Sequence, residues 1–266
     1  MIVIYRLYAY IFAKPFFAKF NKFLYQISLR GLGVLNFEGK YLPGEKQWLK
    51  SYLEGKQSPV VLDVGANVGN YTCDIFEVNP SSMVYAFEPH PATYSKLTDN
   101  MQKFSNNLFK SYNLGVGQEK GVLELFDYAD KSGSSHASLY KDVITDLHKG
   151  EVESCKVEII ALDEFFSRES IQEVDLLKID TEGNEYKVLL GANTLLKEKK
   201  IKAIHIEFNE MNIVSGVTFK NFWDLLTDYS FYRLLPGGKL LPIKSYSPVS
   251  CEIYAFQNIV AILKDS

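Results

Sequence analysis

Short apolar runs recur along the chain and alternate with stretches of helical spacing. Runs typical of buried strands lie at residues 60–64, 83–87, 108–113, 174–179 and 201–208. The segments between them repeat apolar residues every three or four positions, which is typical of helices. Strands that alternate with helices predict a parallel sheet.

The C-terminal part of the chain has a different pattern. Runs at 231–235 and 239–243 flank a Pro-Gly-Gly turn, and a third run covers 252–261. A tight turn between two apolar runs predicts antiparallel strands at this end of the sheet.

An insertion is predicted between Gly115 and Val157. Residues 121–128 alternate like an additional strand, and residues 131–138 form a loop of small residues that contains His136, a distant candidate base. Such a loop on the rim of an α/β domain either covers a site or is an exposed connector.

The first 37 residues differ in character from the rest of the chain. They hold no acidic residue and five basic ones, Arg6, Lys14, Lys19, Lys22 and Arg30. The spacing of Phe16, Phe20, Phe23 and Ile27 predicts a helix with one apolar stripe. This helix either lies on an anionic membrane surface or packs on the domain with its lysines in solvent. We therefore predict an N-terminal segment, 1–45, and one folded domain, 46–266.

Composition excludes several classes of protein. Hydrophobic residues make up 47% and charged residues 23% of the 266 positions, which is typical of a folded, water-soluble chain. The net charge of −3 provides no basic field for a nucleic acid backbone, so no nucleic acid partner is expected. Three widely spaced cysteines without a C-x-x-C pair favour a reducing compartment, the cytoplasm.

A glycine turn follows the first buried strand. Residues 65–70, GANVGN, lead from that strand into a helical pattern, and their glycines allow the backbone to approach a ligand closely. Glu88 ends the next strand, 25 residues after Asp63, where an acidic residue can accept hydrogen bonds from ribose hydroxyls. Asp63 either caps its strand or holds the amino acid tail of a cofactor.

Three segments together resemble the motifs of the FkbM family of S-adenosylmethionine-dependent methyltransferases. They are DVGANVGN at 63–70, AFEPHP at 86–91 and LKIDTEGNE at 177–185. The resemblance runs from about residue 59 to 208. It implies a class I methyltransferase (Rossmann-like) fold: a mostly parallel seven-stranded sheet with helices on both faces and antiparallel C-terminal strands. It also implies S-adenosyl-L-methionine as cofactor.

The resemblance and the strand ends together predict the site. The residues expected to bind the cofactor are Asp63, Gly65, Asn67, Gly69, Glu88 and Asn113. Methyl transfer to a hydroxyl needs a group that takes its proton, so carboxylates or a histidine should face the acceptor. The candidates are Asp180, Glu182, His205 and Glu207. Asp180 and Glu182 could also hold a magnesium ion.

Several acidic residues and the histidine at this side have a structural alternative. Glu182 could only cap the following helix, predicted at 184–198, and Glu185 could be no more than a charge in its first turn. His205 could be a hydrogen-bonded core histidine. Asp180 is the strongest candidate for the reaction.

The resemblance favours methylation of a sugar or glycan hydroxyl, on a surface polysaccharide or a related small molecule. Two other classes of function stay open. One is a nicotinamide-dependent oxidoreductase, which the glycine spacing disfavours. The other is a non-catalytic assembly factor at the inner face of the membrane, suggested by residues 1–37.

Overall fold

The computed structural model describes residues 2–35, 44–104, 108–128, 137–142, 145 and 152–265. His136 and most of the small-residue loop predicted at 131–138 therefore lie outside the described residues. The strands are β1 (Val60–Val64), β2 (Met83–Phe87), β3 (Phe109–Tyr112), β4 (Gly115–Val116), β5 (Gly121–Tyr128), β6 (Val152–Ile160), β7 (Val174–Ile179), β8 (Ile201–Phe208), β9 (Tyr229–Leu234), β10 (Leu240–Ile243) and β11 (Gln257–Leu263).

The helices pack around these strands, apart from the first two. They are α1 (Ile2–Phe12), α2 (Ala18–Gly31), α3 (Gly44–Leu53), α4 (Asn70–Val78), α5 (Pro91–Met101), α6 (Leu162–Glu169), α7 (Glu185–Leu190), α8 (Asn193–Lys197), α9 (Met211–Ser215), α10 (Phe219–Leu225) and α11 (Pro248–Cys251).

The main sheet has the order β10-β9-β11-β8-β7-β1-β2-β3. The strands from β3 to β8 in that order are parallel, and β11 pairs antiparallel with both β8 and β9. The mostly parallel sheet with antiparallel C-terminal strands is thus confirmed. Among the described residues it has eight strands, one more than the seven expected, because β10 adds to the edge of β9.

The strands of the parallel part are buried on both faces, and this explains their unbroken apolar sequences. In β1, Val61 points into one core with α3, α4 and α5, and Leu62 and Val64 point into the other with α6, α7 and α8. Helices therefore cover both faces of the sheet. Burial of this kind also fixes the strand register, because a shift of one residue would exchange the two faces.

The insertion forms a second sheet and does not extend the main one. Its strand β5 pairs antiparallel with β6, and β6 pairs with β4. Leu125, Val157 and Ile159 are buried on one face of this small sheet, whereas Val122 is 62% exposed. The buried face covers one side of the functional cavity described below.

The helix predicted at 184–198 is divided into α7 and α8. The break falls at Gly191, where a Cβ atom would overlap the carbonyl oxygen of Gly117. This close approach of distant parts of the chain cannot be seen in a helical pattern, and only glycine fits at the position where α7 ends.

The tips of β1 and β7 meet backbone to backbone. The amide of Asp180 donates to the carbonyl oxygen of Val64 at 2.9 Å. Gly65 has a φ of +81°, and a Cβ atom on it would overlap the carbonyl oxygen of Asp180. Only glycine fits between the two strand tips, so this residue sets how closely the first and third motifs approach.

We expect Gly65→Ala to destabilise the domain far more than Gly55→Ala. Gly55 has nearly the same φ, +80°, but no atom lies within 4 Å of the position of its Cβ. Alanine at Gly55 should therefore cost only the left-handed backbone, about 1–2 kcal/mol. Alanine at Gly65 should cost about 1–3 kcal/mol more through overlap. Urea denaturation of both variants measures the difference, and equal losses would contradict the contact.

Candidate active site

A cavity of about 620 Å³ opens at the carboxyl ends of β1, β2, β7 and β8. Most of the side chains predicted for the site lie in its wall: Asp63, Gly65, Asn67, Glu88, Asp180, Glu182 and Glu207. Its volume falls within the range of small-molecule and cofactor sites. Gly69, Asn113 and His205 do not line it.

Glu88 is held in place by the backbone at the cofactor side of the cavity. Its two carboxylate oxygens accept hydrogen bonds from the amides of Asn67, at 3.0 Å, and His90, at 2.8 Å. Burial raises the pKa of Glu88 to about 7 in spite of these bonds. Each oxygen keeps a lone pair, so the carboxylate can still accept from the two hydroxyls of a ribose.

Asp63 lies deeper, at the end of β1. It is 1% exposed, and the hydroxyl of Thr72 donates to its carboxylate at 2.6 Å. Burial raises the pKa of Asp63 to about 6, although Thr72 and Lys178 oppose the rise. Its position in the cavity wall leaves both interpretations open, a cap on the turn or a contact to the tail of a cofactor.

The glycine turn connects these two carboxylates. The amides of Gly65 and Ala66 both donate to the carbonyl oxygen of Phe87, at 3.0 and 2.9 Å, which holds the turn against the end of β2. Gly69 lies behind the cavity wall. Its φ is +89°, and a Cβ atom there would come within 2.8 Å of Leu97. It therefore allows the start of α4 to pack against α5 and does not line the cavity.

Asn113, expected to bind the cofactor, does not line the cavity. Its side-chain amide donates to the carbonyl oxygens of Glu88 and Pro89, both at 2.9 Å, and so holds the loop after β2. Leu114, Gly115 and Val116, the residues that follow it, line the cavity instead.

Lys178 lies at the centre of the acidic part of the cavity. It is 4% exposed, and its Nζ lies 3.5 Å from an oxygen of Asp180 and 3.8 Å from one of Glu45. Burial opposes its charge, but the carboxylates of Asp180, Glu45 and Glu207 outweigh burial and raise the pKa of Lys178. In the sequence, Lys178 stands out only as a lysine inside the apolar run of β7, and the sequence pattern predicts no role for it.

Asp180 and Glu207 face the cavity from neighbouring strands. The side chain of Asp180 is 37% exposed, so a ligand can reach it. Burial, and then the charge of Asp180, raises the pKa of Glu207 well above its usual range. The side chain of Asn209 donates to Glu207 at 3.2 Å. A charged lysine, an accessible carboxylate and a carboxyl that tends to stay protonated together form a set that can accept and donate protons.

The loop after β7 is tied together by Glu185. Its buried carboxylate accepts from the amides of Thr181, at 2.9 Å, and Gly183, at 3.1 Å. Glu185, considered above as no more than a charge in the first turn of the following helix, thus closes the turn between β7 and α7. Glu182 lies in the cavity wall with a φ of +52°, and its carbonyl oxygen accepts from Ser138 at 2.8 Å.

His205 is a core histidine in this structure and does not face an acceptor. It is fully buried, with Nδ1 3.0 Å from the hydroxyl of Tyr71 and Nε2 3.0 Å from the side-chain oxygen of Asn258. That oxygen can only accept, so Nε2 donates and Nδ1 accepts, as in a neutral imidazole. Burial, helped by the charge of Lys178, lowers the pKa of His205 well below its usual range.

The cavity has a strongly negative character. Its described lining contains one lysine, Lys178, and eight acidic residues: Glu45, Asp63, Asp74, Glu88, Asp180, Glu182, Glu207 and Glu210. Such a field attracts cations, and a sulfonium is one. The ribose-accepting position of Glu88 and this field both fit S-adenosyl-L-methionine. For magnesium, the described residues contain no group of three or more His, Cys, Asp or Glu side chains arranged to hold a metal ion.

The fold and cavity define a class I methyltransferase architecture: a Rossmann-like sheet with a glycine turn after β1, an acidic residue after β2 and an acidic tip on β7. The family model for the methyltransferase FkbM domain matches residues 63–232. The chain therefore belongs to the FkbM family of S-adenosylmethionine-dependent methyltransferases.

Three similar proteins illustrate the range of the family. Methyltransferase 1 of Beauveria bassiana is 31% identical over 144 residues, which cover 49% of this chain and 57% of that protein. The 2-O-methyltransferase NoeI of Sinorhizobium fredii is 24% identical, with coverages of 69% and 77%. The hexuronic acid methyltransferase AglP of Haloferax volcanii is 27% identical, with 70% of each chain covered.

Among solved structures, one similar chain is the O-methyltransferase from Bacillus cereus in complex with S-adenosylhomocysteine. It is 10% identical, the TM-score is 0.45, and 98% of this chain and 97% of that chain are covered.

We expect Lys178→Met to lower the free energy of unfolding by about 3–5 kcal/mol, because it leaves the buried Asp63 and the partly buried Glu45 and Asp180 without their cation. Lys202→Met is the matched control. Lys202 also pairs with a carboxylate, Glu173 at 2.9 Å, but is 45% exposed, so its loss should cost about 1 kcal/mol or less. Chemical denaturation near neutral pH compares the two. Equal stability losses would show that Lys178 does not compensate the acidic cavity.

We expect S-adenosylhomocysteine to bind about tenfold more tightly at about pH 8 than at about pH 6. The ionised fraction of a carboxyl rises about tenfold between one pH unit below and one pH unit above its pKa. The pKa of Glu88, raised to about 7, means that the carboxyl is mostly protonated at the lower pH and ionised at the higher, where it accepts both ribose hydroxyls. Calorimetry at both values measures the change.

Two variants control that measurement. Glu88→Gln should bind weakly at both pH values and lose the transition near pH 7. Asp99→Asn, on the exposed face of α5, should keep it. An unchanged transition in Glu88→Gln would assign the pH dependence to another group.

Proposed function

We propose that this protein transfers the methyl group of S-adenosyl-L-methionine to a hydroxyl oxygen of a sugar or glycan. One observation carries the proposal: Glu88, suited to the ribose, and Asp180, suited to the acceptor, line the same cavity. A nucleoside held at Glu88 can therefore present its reactive carbon to the second acidic cluster.

The residues at the acceptor side have different roles in the transfer. When bound, S-adenosyl-L-methionine supplies a methyl carbon activated by its sulfonium. Asp180 takes the hydroxyl proton as the acceptor oxygen forms its bond to that carbon and the carbon–sulfur bond breaks. The ammonium of Lys178, 3.5 Å from Asp180, holds that carboxylate in position, and the carboxyl of Glu207 can donate a hydrogen bond that orients the acceptor.

The wall of the cavity supports a polyhydroxy acceptor. Asn209 and Glu210 supply hydrogen-bonding groups at the β8 side, and Phe256 supplies an apolar face. The excess of carboxylates disfavours phosphate-rich polymers. The name of the AglP relative specifies a hexuronic acid and that of NoeI a 2-O position, and both are consistent with a sugar acceptor for this chain.

Glycan synthesis in the cytoplasm is the proposed setting. The three cysteines, Cys73, Cys155 and Cys251, are all free thiols, which is consistent with a reducing compartment.

Transfer of tritium from labelled S-adenosyl-L-methionine into fractionated cell-surface glycan tests the reaction. We expect label in the glycan with the wild-type protein and at least about a 100-fold lower rate with Asp180→Asn, because a general base contributes about that factor. Asp180→Asn should still bind S-adenosylhomocysteine. Asp224→Asn, an exposed carboxylate of α10, serves as the control and should retain full activity.

The stability of the label to alkali identifies the acceptor atom. A methyl ether on a hydroxyl survives mild alkali, whereas an ester on a uronic carboxylate releases its label as methanol. Alkali-labile product would overturn the hydroxyl assignment. Failure to bind S-adenosylhomocysteine, or full activity in Asp180→Asn, would overturn the proposed mechanism and favour a non-catalytic role.

A further inference from the structure

The first two helices form an arm that lies largely in solvent. This N-terminal arm comprises α1, the 3₁₀ turn Pro15–Phe17 and α2. No residue of α1 is buried, and in α2 the described residues include one buried side chain, Leu29. The alternative that this segment packs on the domain therefore does not describe most of the arm.

The arm holds most of the exposed apolar surface of the described residues. Thirteen of their eighteen exposed large hydrophobic side chains belong to it: Ile2, Val3, Ile4, Tyr5, Leu7, Tyr8, Tyr10, Ile11, Phe16, Phe20, Phe23, Tyr25 and Ile27. Phe16 is 88% exposed and Tyr10 81%. This many exposed apolar side chains on one short segment mark an interaction site.

The apolar stripe of α2 faces away from the domain. Phe20, Phe23 and Ile27 lie about 120–180° around the helix axis from the buried Leu29, at 3.6 residues per turn. After α2 the chain is fixed to the domain, because Val34 is fully buried and the amide of Leu35 donates to the carbonyl oxygen of Phe256 at 2.8 Å. The root of the arm is thus anchored while its stripe points outward.

Internal contacts give the arm a defined shape. The hydroxyl of Tyr8 donates to the side-chain oxygen of Asn21 at 2.6 Å, and the side-chain amide of Asn21 donates to the carbonyl oxygen of Phe12 at 2.9 Å. The ring of Phe12 lies 5.1 Å from that of Phe17 and 5.8 Å from that of Phe20, between centroids. The two helices therefore present their apolar side chains together.

The positive charge of the arm favours an anionic partner. All five of its basic residues are exposed, and the arm contains no acidic residue; the basic residues are Arg6, Lys14, Lys19, Lys22 and Arg30. Two copies of the arm would bring these like charges together, which disfavours self-association. An anionic bilayer attracts them, and its interface also accommodates tyrosine rings.

We propose that the N-terminal arm docks on the surface of an anionic membrane and holds the domain there. α1 has 11 residues and is about 16 Å long at 1.5 Å per residue, against about 30 Å for the hydrocarbon core. None of the helices in the described part of the chain combines the length and apolar character needed to cross a membrane. The arm therefore lies in the interface.

Flotation of the full-length protein with vesicles tests the proposal. We expect binding to vesicles of phosphatidylcholine and phosphatidylglycerol to exceed binding to phosphatidylcholine alone by about tenfold or more, since each basic residue near the surface contributes on the order of a fivefold gain. Added salt should weaken this binding.

Substitutions separate the apolar and the charged contributions. Phe20→Ser with Phe23→Ser, and separately Lys14→Glu with Lys19→Glu, should each release the protein from the anionic vesicles. Val122→Ser with Leu123→Ser, an exposed apolar pair of β5 far from the arm in sequence, is the matched control and should still float. Unchanged binding of S-adenosylhomocysteine in all variants shows that the domain stays folded.

Three results would overturn the proposal: equal binding to neutral and anionic vesicles, unchanged flotation of both arm variants, or a dimer in vesicle-free buffer that the Phe20 and Phe23 substitutions dissociate. The last would assign the arm to a second copy of this chain.

Discussion

The site depends on the close approach of two strand tips. Gly65 follows β1 and Asp180 follows β7, and their backbones lie so near each other that a Cβ atom at Gly65 would overlap the Asp180 carbonyl. This approach brings the turn that carries the cofactor-side groups next to the carboxylates of the acceptor side. The same turn is held to β2 through Phe87, so Glu88 shares the cavity as well. One backbone contact therefore brings together site residues that lie more than a hundred positions apart in the chain.

A second constraint is electrostatic. A cavity lined mainly by carboxylates attracts a sulfonium, but the same charges repel one another in a partly buried space. Lys178 resolves part of this conflict from inside an apolar strand, close to Asp180 and Glu45. The uncompensated part of this repulsion contributes to the raised pKa of Glu207, which burial and the charge of Asp180 cause together. Lys178 thus pairs with an accessible carboxylate, Asp180, whereas burial and the charge of Asp180 dispose Glu207 to stay protonated.

The sequence predicts the fold better than the direction of side chains. The bounds of β1, β2, β7 and β8 agree with the predicted runs, because strands buried on both faces must be apolar throughout. Carboxylates at those strand ends converge, as parallel strands require. The division of α7 from α8 could not be predicted, since it falls at Gly191, which packs against the backbone of the distant Gly117.

Individual site residues show the same limit. Asn113 follows a strand and His205 lies within β8, and both have suitable chemistry. Their polar atoms are nevertheless engaged by the loop after β2 and by Tyr71 and Asn258. Such hydrogen bonds form between distant segments, and no local pattern contains them. The role of Lys178 could not be predicted either, because it becomes visible only when the positions of the surrounding carboxylates are known.

A crystal structure of the complex with S-adenosylhomocysteine tests the central claim most directly. The account predicts both ribose hydroxyls within about 3 Å of the Glu88 carboxylate, the usual hydrogen-bond distance, and the sulfur turned toward Asp180. A nucleoside bound elsewhere, or one whose sulfur points away from Asp180 and Glu207, would contradict it.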